Sequence, residues 1–241
     1  MRCKLLLIIV TLLLVSANAQ AVTVITTEDG SGADTYVSND SQQGPTTNMG
    51  AEVRMRAFRQ AVDSRSKIGY IRFDLTGVEE ADITGSRLMF DATFLKGSAK
   101  VVQVYGLIDG ADDNWIESGV GGITYNTAPG LIANPPTTLG NYALDLTKLV
   151  LLGTLTTPAV PSPAVYPVRF ISNSTNLPLA DFLNADTNNL VTFVFIGTNN
   201  EGEIASKEHA TYIAPTLKLV PEPATMMLLG IGSVLAMRRR K

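Results

Sequence analysis

The sequence predicts an all-β fold: an antiparallel β-sandwich of jelly-roll type, flanked by an N-terminal signal peptide and a short C-terminal apolar helix. Three observations carry that expectation. Val, Ile, Thr, Tyr and Phe gather in short runs punctuated by Gly, Asn, Asp and Pro, the composition of strands and turns. Apolar and polar residues alternate within those runs, as they must on a sheet with one buried face. Only the short stretch Leu179 to Leu183 reads as helix, so the crossover helices that a parallel sheet requires are missing.

Taken in order, the chain divides into residues 1–19, 20–220 and 221–241. Met1 to Ala19 has basic residues at Arg2 and Lys4, an apolar run from Leu5 to Val15, and the small-residue pattern Ala17-Asn18-Ala19. That is the layout of a secretory signal peptide, which implies the secretory translocon and signal peptidase as partners. Cleavage is expected after Ala19, with Ala21 as a second acceptable position. A signal anchor is the competing reading, but the apolar run is shorter than a bilayer span and no stop-transfer charge follows it.

Within 20–220 the expected strands are Val22 to Thr27, Val53 to Phe58, Lys67 to Leu75, Gly85 to Phe94, Lys100 to Ile108, Tyr166 to Ser172, Leu190 to Thr198 and Thr216 to Val220. In Lys67 to Leu75, Ile71, Phe73 and Leu75 point one way and Tyr70, Arg72 and Asp74 the other, so one face is expected in the core and one in water. Val53 and Met55 against Arg54 and Arg56 repeat the arrangement. Thr154 to Pro167, with prolines at 158, 161, 163 and 167, reads as a surface loop. This middle segment is long enough for one well-buried core and barely for two.

Cysteine and charge narrow the function. The single cysteine, Cys3, lies in the signal, so the remaining chain has no disulfide, zinc-thiolate site or cysteine nucleophile. Removing both end segments leaves 13 cations against 21 acids, a net charge of about −8. Nucleic acid and anionic membrane demand the opposite sign, so no nucleic-acid partner is expected.

The C-terminus runs Pro221-Glu222-Pro223, then Ala224 to Met237 without a charge, then Arg238, Arg239, Arg240 and Lys241. Motif, apolar segment and basic cluster, in that order, resemble the PEP-CTERM sorting signal of bacteria. The resemblance implies that an exosortase, a membrane-embedded transpeptidase-like protease, recognises Pro-Glu-Pro and removes the tail, in cells that make exopolysaccharide. Physical reasoning gives the same orientation. Ala224 to Met237 would reach about 21 Å as a helix at about 1.5 Å per residue, against a hydrocarbon core of about 30 Å. It is a marginal, transient anchor, and its terminal cations favour the cytoplasmic side. A helix buried in the domain is the competing reading, disfavoured by four successive cations after two prolines.

A second resemblance covers the body. Ala33-Asp34-Thr35-Tyr36-Val37, Asn48-Met49-Gly50, Gly69 to Leu75, Ile83 with Ser86-Arg87-Leu88, Trp115-Ile116-Glu117, Ile123 to Pro129, Ser206-Lys207-Glu208 and Pro215-Thr216-Leu217 occur in the order seen in the DNRLRE domains. Those are secreted β-sandwiches related to carbohydrate-binding modules. The chain departs from that pattern with Tyr125 where Trp is common, an insertion-like Gly119 to Gly122, and no match over Asn134 to Thr187. The resemblance implies the fold; ligand specificity carried by loops does not transfer with it.

Candidate sites follow. Arg54 to Arg72 holds Arg54, Arg56, Arg59, Arg65, Lys67 and Arg72 against one acid, Asp63. If the two strands pair, Arg54, Arg56 and Arg72 share an outward face with Tyr70. Guanidinium forks for carboxylates beside a ring for sugar stacking would suit an acidic polysaccharide; an ordinary charged face is the alternative. Trp115, the only tryptophan, is either a sugar platform or, more in keeping with its neighbours, a plug that donates its N–H to a backbone carbonyl. Asp109, Asp112 and Asp113 resemble a calcium loop superficially but fail as an EF-hand, since Ala111, Asn114 and Val120 occupy ligand or turn positions. An irregular Ca2+ site there, or around Glu28, Asp29 and Asp34, remains open against a solvated acidic turn. No other cofactor is expected.

No catalytic residue is expected. His209 is the only histidine and no nucleophile-elbow pattern such as G-x-S-x-G occurs, which removes the support for a serine triad. Paired carboxylates or a Tyr/Arg lyase are not ruled out by counting, yet nothing singles out such residues. The sequence therefore reads as an exported, non-catalytic cell-surface or matrix protein that binds an extracellular polysaccharide. The alternatives are a purely structural matrix or adhesion protein and, third, a polysaccharide-active enzyme.

Overall fold

A computed structural model describes residues 22–40, 42–56, 59–60, 65–78, 85–95, 97–110, 112–132, 142–160, 164–197 and 202–219. The expected signal peptide and tail, with Ala17, Ala19, Pro221, Glu222, Pro223, Arg238, Arg239 and Arg240, lie outside these residues. Among the described residues no helix is long and apolar enough to cross a membrane.

The strands are β1 (Thr23–Thr26), β2 (Ala33–Ser38), β3 (Arg54–Arg56), β4 (Arg59–Gln60), β5 (Arg65–Asp74), β6 (Arg87–Leu95), β7 (Val101–Leu107), β8 (Leu149–Thr156), β9 (Val168–Ile171), β10 (Leu190–Gly197), β11 (Gly202–Ala205) and β12 (Thr216–Leu219), with one helix, α1 (Ala180–Asn184). They form two antiparallel sheets. One has the order β1-β12-β6-β11-β3 with β9 beside β6; the other has the order β2-β5-β10-β7-β8 with β4 beside β5. The all-β sandwich expected from the sequence is the observed architecture.

Alternation builds the core. Ile71 and Phe73 of β5 and Val191, Phe193 and Phe195 of β10 meet Leu88, Phe90, Phe170 and Leu217 of the other sheet in one buried cluster. The rings contact edge to face, with Phe73 and Phe193 centroids 6.0 Å apart and Phe90 and Phe195 5.7 Å apart. Burying each such side chain contributes roughly 1.5–3 kcal/mol, which matters in a chain whose body contains no disulfide. Helix α1 lacks a side-chain N-cap. Packing holds it instead: Leu183 is buried, and Phe182 meets Phe193 at 5.4 Å. Gly106 makes this approach close, because a Cβ there would collide with the Phe182 ring.

Three expectations are corrected. First, Tyr70 and Arg72 do face away from the inter-sheet core, but that face is not wet: Tyr70 is 0% and Arg72 8% exposed. A second buried cluster lies over it, joining Val37, Ile68, Tyr70, Val194 and Ile196 to Trp115, Ile123, Tyr125 and Ala128 of the long β7–β8 connection. Alternation gives the side of a residue, and a covering loop decides its exposure. Second, Arg54 and Arg56 lie on β3, whose sheet is the one that excludes β5. The shared outward face with Tyr70 and Arg72 is absent because β3 pairs with β11 instead. Third, β8 runs through Thr156, so the proline-rich loop starts later than Thr154.

Candidate functional site

The loop layer over the second sheet is built around Arg72. Its strand position turns the guanidinium into the layer, where Nε donates to the Ser31 carbonyl at 2.8 Å and Nη1 donates to the carbonyls of Asp113 and Trp115, each at 2.7 Å. The same guanidinium lies 4.9 Å from the centroid of the Trp115 ring. Burial lowers its pKa, against the raising fields of Glu117, Asp113 and Asp74. Trp115 is 6% exposed, so its ring packs rather than offering a sugar platform. Its N–H donates to the Thr192 hydroxyl at 3.1 Å, a side-chain acceptor where a backbone carbonyl was expected. Tyr70 meets Trp115 edge-on at 6.1 Å and donates its hydroxyl to the Pro129 carbonyl at 2.9 Å.

Asn48 ties the layer from another side, its amide donating to the carbonyls of Glu117 and Ile123, each at 2.8 Å. Gly50 is required beside it, since a Cβ would overlap the Glu117 backbone. These anchors leave an open cleft of about 450 Å³ on the outer side of the layer. Asp112, Asn114, Ile116, Asn126, Thr127 and Lys148 line it. Lys148 pairs with Asp112 at 2.7 Å, and both side chains are nearly half exposed. The Asp112 hydrogen bond raises the lysine pKa. Amides, a hydroxyl and both signs of charge around one cleft supply donors and acceptors for a polyol.

A carboxylate cluster lies elsewhere on the same layer. Asp34, Glu117 and Glu208 each bring a ligand oxygen within 4.8 Å of the others. Asp34 accepts from the Thr27 hydroxyl at 2.5 Å and from the Lys207 backbone N–H at 3.0 Å, while Glu117 accepts from the Asp34 backbone N–H at 3.0 Å and pairs with the Lys207 ammonium. Burial pushes the Asp34 carboxyl up to about 7 and raises Glu117. The donor set is all oxygen, the type hard divalent cations take, but the Lys207 ammonium already occupies part of it.

The other candidates are dispersed. Asp109 accepts from the Thr187 backbone N–H at 3.1 Å, Asp112 pairs with Lys148, and Asp113 is 4% exposed with its carboxyl pushed up to about 6 by burial. Asp29 turns back to the Thr26 N–H and hydroxyl, at 2.7 and 2.9 Å. Among the described residues, the carboxylates that converge are Asp34, Glu117 and Glu208, of which only Asp34 was singled out as an expected ligand. Glu117 and Glu208 were legible only as parts of motifs, and Lys148 carried no sequence signal. Arg54 and Arg56 both pair with Glu203, at 3.1 and 2.8 Å. His209 accepts at Nδ1 from the N–H groups of Thr211 and Tyr212 and stacks on the Tyr212 ring at 4.3 Å, which makes it a turn residue.

Comparison with known proteins gives two family matches. Carbohydrate-binding module family 96 matches residues 26–151, just over half of the chain. The PEP-CTERM protein-sorting motif matches residues 219–241. No curated protein matches the chain.

Proposed function

Because the chain belongs to carbohydrate-binding module family 96, we propose that it is a non-catalytic, exosortase-sorted surface protein whose polysaccharide ligand lies in the polar cleft over the second sheet. One observation carries this reading: every residue lining the cleft, from Asp112 to Lys148, falls inside the matched span 26–151. Asp112, Asn114, Asn126 and Thr127 face sugar hydroxyls. A uronate carboxylate would meet Lys148 in place of Asp112, so an acidic polymer is the preferred ligand. The PEP-CTERM match supports export through the translocon, signal-peptidase cleavage, brief anchoring by the tail and release by an exosortase to the surface or matrix.

The test is retention on a panel of immobilised neutral and uronate-bearing polysaccharides, comparing the native protein with Asn126→Ala and Lys148→Ala. Native retention on a uronate polymer, weakened in both folded variants and by salt, is the expected outcome. Absence of retention on every polymer would sink the binding role, and full retention by both variants would move the site elsewhere.

A second reading, a structural matrix protein associating through sheet edges, has its own observation. Strand β8 ends the second sheet, carries no charged residue over Leu149–Thr156, and exposes Val150 and Leu151. Its Leu149 and Thr154 N–H groups already donate to the carbonyls of Asp145 and Asn176, so such pairing would use the stretch around Leu151. Concentration-dependent oligomers without glycan retention would favour it.

A further inference from the structure

A second cavity, of about 520 Å³, opens between β8, the end of β7 and α1. Its volume is within the range of small-molecule sites, roughly 300–1,000 Å³, and too small for a folded peptide segment of any length. The floor is aliphatic and aromatic, with Leu107, Val150, Leu151 and Phe182 the principal surfaces. The polar side chains lining it are three carboxylates, Asp109, Asp181 and Asp186; among the described residues no amide, hydroxyl or cationic side chain lines it. Lys148 is close in the chain fold, its carbonyl accepting from the Ile108 N–H, but its ammonium is directed to Asp112.

That lining selects by chemistry. A sugar needs donors as well as acceptors, and an anion needs a cation; neither is offered here. Oδ1 of Asp109 is buried without a hydrogen-bond partner among the described residues, while Oδ2 is held by Thr187. Asp186 is raised by burial and by the field of Asp109, against lowering by hydrogen bonds from the backbone of Asn188, Asn189 and Leu190, and a positive charge at this rim would relieve the repulsion between the two carboxylates.

We propose that this cavity binds a small organic cation with an aliphatic body, the ammonium at the Asp109–Asp186 rim and the hydrocarbon on the Leu107, Val150, Leu151 and Phe182 floor. The site is separate from the polar cleft and independent of the glycan reading.

Isothermal titration of the full-length protein with n-hexylammonium, 1-hexanol and hexanoate tests it. Hexylammonium is expected to bind, hexanol about tenfold more weakly or worse, and hexanoate least, because the charge-assisted contact is absent or reversed. Asp186→Asn is expected to weaken hexylammonium about tenfold and leave hexanol unchanged. Ala185→Trp, at an exposed lining position, is expected to block all three. Circular dichroism confirms the fold of each variant, and Asp186→Asn carries the test alone if the tryptophan variant unfolds. No binding of hexylammonium, equal binding of hexanol, or unchanged affinity in folded variants overturns the proposal.

Discussion

Replacing Arg72 with alanine gives the sharpest test of how the loop layer is held. Three carbonyls, of Ser31, Asp113 and Trp115, lose their donor at once, and these bonds are 2.7 to 2.8 Å long. Hydrogen bonds to a charged group contribute about 1.5–3 kcal/mol each. Three at the lower end give about 4–5 kcal/mol, and relief from burying the guanidinium returns part of it. The expected net loss is about 3–4 kcal/mol. Arg72→Lys should recover less than half, because an ammonium cannot reproduce the planar fork or stack on Trp115. The assay is urea unfolding followed by the fluorescence of Trp115, the only tryptophan, in parallel with far-UV circular dichroism. The layer should loosen first, so the fluorescence transition should move ahead of the dichroism transition in the alanine variant. A loss below about 1 kcal/mol with coincident transitions would refute the assignment of Arg72 as the anchor.

Tyr70→Phe removes only the hydroxyl that donates to Pro129 and should cost about 1 kcal/mol in the same unfolding assay; no measurable cost contradicts the buried bond. Gly50→Ala, which drives a Cβ into the Glu117 backbone, should lower the melting temperature; an unchanged melting temperature would count against the close approach. For pH, Asp34 is raised from 3.8 to about 7 and Asp113 to about 6 by burial, so their contributions are fully present below about pH 4 and lost as pH rises through 6 and 7. Asp91, held low by Arg169, contributes in the opposite sense, above about pH 4 and lost below it. Urea midpoints should therefore peak in mildly acidic buffer and fall toward neutrality, and Asp34→Asn should flatten that fall; a flat native profile refutes it. Intact mass of the protein recovered from the cell surface should lack both Met1 to Ala19 and the basic tail; retained Arg238 to Lys241 overturns exosortase processing.

The sandwich was legible because alternation is a local signal. Ile71, Phe73, Val191, Phe193 and Phe195 announce their buried face in the sequence, and β5, β6, β7 and β10 lie where the pattern put them. Strand β2 was not legible as a strand: Asp34, Thr35 and Ser38 do not alternate with Ala33, Tyr36 and Val37, and all six positions are buried, because the loop layer covers one face and the core the other. Strand β8 was obscured by Gly153 and the prolines that follow. The candidate site was legible only as fragments. Asn48, Gly50, Arg72, Trp115 and Glu117 stood out by motif, but the contacts that give them roles span 41 to 83 residues of chain, a distance over which periodicity carries no information. The arginine-rich face failed for the same reason, since which strand β3 pairs with is a long-range fact.

Arg72, Asn48 and Tyr70, which anchor the layer, do not line its cleft, whereas Trp115 does both, and that division has a physical consequence. Arg72, Asn48 and Tyr70 bind backbone carbonyls of the layer, and Trp115 ties the layer back to the Thr192 hydroxyl of β10, so they fix the course of the loop without reading its polar side chains. Asp112, Asn114, Asn126, Thr127 and Lys148 project from that course into the cleft and bear little of the layer's apolar packing. Substitution on the cleft side can thus change which groups meet a ligand while the backbone stays in place, as an exposed pair such as Lys148 and Asp112 contributes at most about 1 kcal/mol. A chain whose only cysteine is Cys3 has no disulfide to stiffen a connection from Asp109 to Lys148. Buried donors aimed at carbonyls supply that stiffness, and a rigid loop loses less entropy when it binds. If the cleft is the glycan site proposed above, the buried guanidinium acts on binding through the loop: loosening Arg72 should weaken glycan retention through the loop, whereas removing Lys148 should weaken it through the contact itself.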